Sequence, residues 1–185
     1  GRCPHTWHSV AMLACSCDGP TDKCRLKIQR SAMFEIGNSF LRRVDNQQRF
    51  CDPAKPLATF PRLRLLLLRA TEALSPEVGD LPERGVNVIV RRYTLGQGIA
   101  FHEDRRDTFD EGVCGCILWN MCDRTLEFRR GPTLRYRMEE EPGSCFLQRG
   151  EARYKWWHGL EAVSTGERFS VTWRWFLNDF VVSPK

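Results

Sequence analysis

Histidine is scarce in this chain. Only four of the 185 residues are histidine, His5, His8, His102 and His158, so a site built on imidazole has few ways to assemble. Lysine is scarce too, at five, and arginine supplies the rest of the 28 basic residues. Arginine suits carboxylate or phosphate recognition because its planar fork donates two parallel hydrogen bonds, although simple compositional bias accounts for the excess equally well. No apolar run reaches the ~18–20 residues of a membrane-spanning helix. The run from Leu65 to Leu68 is bracketed by Arg64 and Arg69, which makes it a buried helix face. Internal repeats, low-complexity tracts and a signal-peptide pattern are also missing. Nine cysteines would suit a small secreted disulfide scaffold, but the number is odd and the chain is not small. Free thiols in a reducing, intracellular compartment are therefore expected.

What is present suits one domain with a sizeable core: 42% of the residues are hydrophobic, and the net charge is a modest +5. Cys3, His5, His8, Cys15, Cys17 and Cys24 are zinc-ligand types. Their spacings do not match the paired C-x2-C pattern of tetrahedral sites, and an irregular arm with incidental thiols accounts for them better. Leu26, Ile28, Met33, Phe34 and Ile36 make a strand, with a turn at Gly37-Asn38. Asp52 to Pro56 reads as a loop because proline cannot continue regular hydrogen bonding. Pro61 to Leu74 reads as a helix, with proline in its first turn and Leu63, Leu66, Leu67, Ala70 and Leu74 recurring at three and four.

After Gly85 the pattern changes to short alternating segments. Val86–Thr94, Ile99–Glu103, Val113–Asn120, Leu126–Arg129, Leu134–Glu139, Cys145–Leu147, Ala152–Leu160 and Arg168–Leu177 read as strands. A turn at Gly96-Gln97-Gly98 separates the first two. Some eight strands with short turns and no interleaved helices imply an antiparallel sandwich or barrel, in one structural domain made of a 1–84 extension and an 85–180 core.

Three features in that core carry chemistry. His102-x-Asp104 places an imidazole and a carboxylate on one face of a strand, because side chains alternate with a period of two. With a distant histidine they make the facial triad of two His and one carboxylate that holds iron and leaves positions open. His158 is the sensible third ligand, since His5 and His8 lie in the irregular arm. A surface His102 and a core His158 are the ordinary alternative, and Glu103 would face away from His102 on a straight strand. The second feature is Arg168-Phe-Ser170-Val-Thr172-Trp-Arg174, which sets Arg168, Ser170, Thr172 and Arg174 on one face and Phe169, Val171, Trp173 and Trp175 on the other. The two arginines, about 20 Å apart at roughly 3.3 Å per residue, can bracket a short dicarboxylate; arginines facing water account for the alternation equally well. Tyr93 adds a phenol, nine residues before His102.

Taken together, Arg92-Tyr93-x8-His102-x-Asp104, His158 and Arg168-x5-Arg174 resemble the AlkB family of Fe(II)- and 2-oxoglutarate-dependent dioxygenases. Glu141-Pro-Gly-Ser144 and Arg149-Gly-Glu-Ala-Arg-Tyr154 are similar to its eukaryotic homologues. The resemblance spans about residues 85–176. It implies a double-stranded β-helix, or jelly-roll, core with iron on His102, Asp104 and His158. It also implies that Arg168 binds the distal carboxylate of 2-oxoglutarate with Tyr93 and Ser170 assisting, that Arg174 lies nearer the metal, and that molecular oxygen is the other co-substrate. Ser170 stands where the family often has Asn, Arg91 where bacterial members carry Asn, and Phe146 where some eukaryotic members carry Tyr. The implied substrate is a methylated base in RNA or DNA, with protein as the alternative. Arg105 and Arg106, along with Arg129, Arg130, Arg135 and Arg137, are candidate phosphate contacts. Phe101, Trp119 and Trp156 are candidate stacking surfaces, although core filling is the more ordinary use of each. A substrate lid would fall within residues 1–84.

Overall fold

The computed structural model describes residues 29–30, 32–45, 48–74 and 85–182. The zinc-type residues of the N-terminal arm, along with Leu26 and Ile28, lie outside them. Twelve strands and two α-helices occur among the described residues: β1 (Gln29–Arg30), β2 (Ala32–Asp45), β3 (Gln48–Pro53), α1 (Pro61–Leu74), β4 (Val86–Tyr93), β5 (Gln97–His102), β6 (Phe109–Asn120), β7 (Glu127–Arg130), β8 (Leu134–Arg137), β9 (Cys145–Gln148), α2 (Glu151–Tyr154), β10 (Trp157–Leu160), β11 (Arg168–Phe176) and β12 (Phe180–Val182). They form two sheets, in the orders β1-β5-β10-β7-β8 and β12-β3-β2-β4-β11-β6-β9. The protein is mainly β, as expected, with a jelly-roll core of two facing sheets. Pairing is antiparallel except at β1–β5 and β3–β12. No helix among the described residues is long and apolar enough to cross a membrane.

The large sheet is organised around β11, which pairs with β4 on one side and β6 on the other. Its alternation sorts the two faces as the sequence implied. Val171, Trp173 and Trp175 point outward, where Leu67 and Ala70 of α1 cover them along with Val86, Val88, Cys114 and Cys116. Burying Trp173 leaves its indole N–H needing an acceptor, and Thr71 Oγ1 on α1 takes it at 2.9 Å. The helix is thus docked by packing and by one buried polar contact. Arg168, Ser170, Thr172 and Arg174 point the other way, into the space between the sheets.

Several local expectations are corrected. The chain runs straight through Gly37-Asn38 within β2, because β2 is paired there with both β4 and β3. Asp52 and Pro53 finish β3 rather than starting a loop. Leu65 is 49% exposed, so the leucine run is not wholly buried. The turn before β5 sits at Leu95-Gly96, and Gln97 and Gly98 already belong to the strand. The segment 152–160 is not one strand. Gly150, at φ 54°, redirects the chain into α2, and β10 begins only at Trp157. Glu-Ala-Arg-Tyr favours helix more than strand, and that local preference wins over the alternation that follows it.

Candidate metal centre

Strands β5 and β10 bring the two core histidines together. They pair antiparallel with His158 directly opposite His102, and the ring centroids stand 4.4 Å apart. The register then slips between His158 and Leu160. Gly159 sits in that slip, where a Cβ would meet Ile99 O at 2.9 Å and Phe101 Cα at 3.0 Å. Any larger residue would force the strands apart beside the histidines.

Asp104 lies two residues beyond the end of β5, so it comes from an irregular segment and not from the strand itself. Its position is fixed from two directions. Arg153, fully buried on α2, donates to the carbonyl of Asp104 at 2.6 Å and to that of Arg105 at 3.1 Å. Arg174 Nη1 donates to Asp104 Oδ1 and Nε to Asn87 Oδ1, with Phe109 packed against the guanidinium. Oδ2 is buried and accepts no hydrogen bond. It faces His158 Nε2 at 3.8 Å. Ligand atoms of His102, Asp104 and His158 all lie within 4.8 Å of one another, the cluster that the sequence pattern had implied.

The protonation of these groups suits a metal. His102 Nδ1 donates to Ala100 O at 2.8 Å, which leaves Nε2 as the ring nitrogen free of that bond. Burial pushes His158 down to about 4, outweighing the upward pull of Asp104, so the ring is neutral at pH 7. Its Nδ1 lies 3.2 Å from Gln148 Nε2, an amide that also donates to Ala152 O at 2.8 Å. Burial would raise the Asp104 pKa, but Arg174, His158, His102 and Arg153 together hold it below the usual carboxylate range. Two imidazoles and one carboxylate with an idle oxygen form a donor set that fits a divalent transition metal such as Fe(II).

The cavity beside the triad is lined by Tyr93, Ile99, Leu126, Phe146, Gln148, Arg168, Ser170 and Arg174, among others. At its far end Arg168 is buried, and a neighbouring carboxylate holds it: Nε and Nη2 donate to the two oxygens of Glu140 at 2.7 and 2.6 Å, while Nη1 donates to Ser170 Oγ at 2.8 Å. Tyr93 is the cross-strand neighbour of Arg168, with the guanidinium carbon 5.4 Å from its ring centre. Tyr93, Arg168, Ser170 and Arg174 therefore share one cavity with the triad. Phe146 fits over this face because its neighbour is Gly115, where a Cβ would come within 2.3 Å of the ring.

The candidate substrate residues are less united. Trp156 is buried in a cluster with Ile117, Leu126, Phe128, Met138 and Phe146, so its face is not offered to a base. Trp119 is 46% exposed on β6. Arg105 and Arg106 are both exposed, and Arg106 pairs with Glu103 at 2.7 Å and donates to Tyr154 O. Arg129 and Arg137 pair with the buried Glu127, Arg135 stands 3.9 Å from it, and Arg130 pairs with Glu151 at 3.1 Å. Phe101 is covered by Arg129, whose guanidinium carbon is 3.6 Å from its ring centre. Arg153, Gln148 and Glu140 were missed by the sequence reading. Only the burial of charged or amide side chains marks them, and burial is not visible in a sequence.

No protein-family model and no curated protein matches the chain. Among solved structures it is similar to a prolyl-4-hydroxylase from Pseudomonas putida, at 20% identity and a TM-score of 0.40, over 65% of this chain and 60% of that one. The likeness is loose, and the chemistry of the site rests on its own residues.

Proposed function

We propose that this protein is an Fe(II)- and 2-oxoglutarate-dependent oxygenase. The observation that carries the reading is the convergence of His102, Asp104 and His158, with one Asp104 oxygen buried and unpartnered. His102, Asp104 and His158 would hold the metal. Arg168 would receive the distal carboxylate of the co-substrate through the two N–H groups that remain after Glu140 and Ser170 take three of the five. When bound, iron and 2-oxoglutarate supply oxidation of a substrate C–H by O2, coupled to decarboxylation of the co-substrate to succinate. The chain's own part is positional. Arg174 fixes which Asp104 oxygen is free, Arg153 holds the backbone that carries it, and the apolar wall of Ile99, Leu126 and Phe146 keeps water away.

The substrate we favour is an N-methylated base of RNA or DNA, which oxidative demethylation would release as the free base and formaldehyde. That choice rests on the spacing of the AlkB-like motifs in this sequence, and the base must be single-stranded or flipped out to reach the metal. A second reading, hydroxylation or demethylation of a protein, is favoured by one observation: the arginines around the small sheet are largely engaged by Glu127, Glu103 and Glu151 rather than held out for phosphate. A homologue without turnover fits less well, because the ligand set is intact. Fe(II) and 2-oxoglutarate added without oxygen should give a visible charge-transfer band, and its absence in folded protein refutes the site. Succinate and formaldehyde release across methylated RNA, DNA and peptides then identifies the substrate class.

A further inference from the structure

The buried carboxylate behind Arg168 is unexplained by metal binding or by contact with a co-substrate. Glu140 comes from the segment between β8 and β9 and does not line the cavity. Both its oxygens are fully used: Oε1 accepts from Arg168 Nη2 and from Leu126 N at 3.2 Å, and Oε2 accepts from Arg168 Nε and from Asn120 Nδ2 at 3.3 Å. The backbone around it is pinned, with Met138 N donating to Leu126 O and Ser144 N to Glu141 O, both at 2.9 Å. A carboxylate held at two points, by Leu126 and Asn120, grips one edge of the guanidinium with two parallel bonds. The opposite edge is left turned towards Ser170 and the cavity.

We propose that Glu140 is a positioning residue that sets how far the Arg168 fork reaches into the cavity, and with it the length of the 2-oxo dicarboxylate the site accepts. The inference rests on the co-substrate reading given above. Ser170 alone holds the fork by one bond to a rotatable hydroxyl, whereas Glu140 holds it by two parallel bonds in one plane, so the depth of the fork follows the Glu140 carboxylate. Aspartate at this position keeps the charge and both acceptor atoms but withdraws them by one carbon–carbon bond, about 1.5 Å. The fork should retreat with them, lengthening the socket by about the span of a methylene.

The test is calorimetric binding of 2-oxoglutarate and of 2-oxoadipate, one methylene longer, to the full chain loaded with Mn(II) in place of iron. Wild type should prefer 2-oxoglutarate. In Glu140→Asp the ratio of the two affinities should move towards 2-oxoadipate by about tenfold or more, the usual worth of one methylene in a fitted pocket. Glu140→Gln keeps the length but sets an N–H2 donor against the guanidinium in place of one acceptor, so the fork loses one of its two parallel bonds and both acids should weaken together with the preference unchanged, while Mn(II) affinity stays at the wild-type value. If Glu140→Asp weakens both acids equally, or neither, Glu140 does not set socket length and the proposal is overturned. Should that variant fail to fold, unchanged 2-oxoglutarate affinity in Glu140→Gln overturns it instead. Wild type that binds neither acid sinks the co-substrate reading itself, and this inference with it.

Discussion

Acidifying the metal-free protein should destabilise it through His158. The ring is buried neutral with its pKa near 4, against about 6.5 in an unfolded chain. Between those values the unfolded state binds a proton that the folded state refuses, so stability is present above pH ~6.5 and is lost as pH falls towards 4. Over the whole window a shift of this size corresponds to roughly 3 kcal/mol, and to about 2 kcal/mol by pH 5, at 1.36 kcal/mol per unit. For a chain of this size that is a fall of about 4–8 °C in Tm between pH 7 and pH 5. Asp104 acts in a separate window. Its pKa is depressed, so its stabilising contribution persists until the pH drops below the ordinary carboxylate value of 3.8. Thermal unfolding of the apo-protein from pH 7 to pH 4.5, with His158→Gln alongside, measures the effect. The variant should lose most of the slope. Identical slopes in the two proteins would show that His158 is not desolvated, and the neutral-ligand argument would fail.

Three further outcomes follow from the same geometry. Arg168→Met alone strands a buried carboxylate and should cost about 3–5 kcal/mol in urea unfolding, whereas Arg168→Met with Glu140→Gln should recover much of it; 2-oxoglutarate binding should be lost in both, and retention in either shows that the anchor is elsewhere. Trp173→Ala should cost about 3–5 kcal/mol, since the indole fills the contact between α1 and β11, with metal affinity nearly unchanged in whatever fraction stays folded. Oligonucleotide affinity should fall with salt by only a shallow slope, because most candidate arginines are already paired with glutamates; a slope matching six or more phosphates would contradict those pairings.

Periodicity makes part of this molecule legible from its sequence. The spacing of Leu63, Leu66, Leu67, Ala70 and Leu74 matches α1 at both ends, and the period of two along Arg168–Trp175 sorts the cavity face from the face under the helix. Both signals are local. What stayed hidden depends on register between distant segments. Nothing near His102 says that His158 will stand opposite it, nor that Glu140 lies against a guanidinium 28 residues away. Glu139-Glu140-Glu141 is an acidic run in the sequence with nothing to distinguish its members, yet the middle one is buried. Trp156, a candidate stacking surface by its sequence, is in the core, whereas its neighbour Trp157 is 53% exposed. At Gly37-Asn38 the turn propensity is real, and strand partners on both sides outweigh it.

The two inward arginines of β11 separate structural from chemical design. Buried arginines can be present for stability alone, provided each has a carboxylate, and Arg168 with Glu140 satisfies that condition completely: two parallel bonds, with the remaining acceptor capacity taken by Leu126 and Asn120. Arg174 with Asp104 does not. Arg174 takes one oxygen, while the other is buried, unbonded and directed at an imidazole held neutral. An unmade buried hydrogen bond costs about 1–3 kcal/mol, and more when the group is charged. A fold shaped for stability alone would turn a donor towards that oxygen, as it does at Glu140 a few residues away in space from the same cavity wall. Here the neighbours are instead the two rings of His102 and His158, so that three side chains of metal-ligating type converge on one point. The arrangement is costly as an ion pair and sensible as a ligand set, which is why the metal reading outranks the structural one.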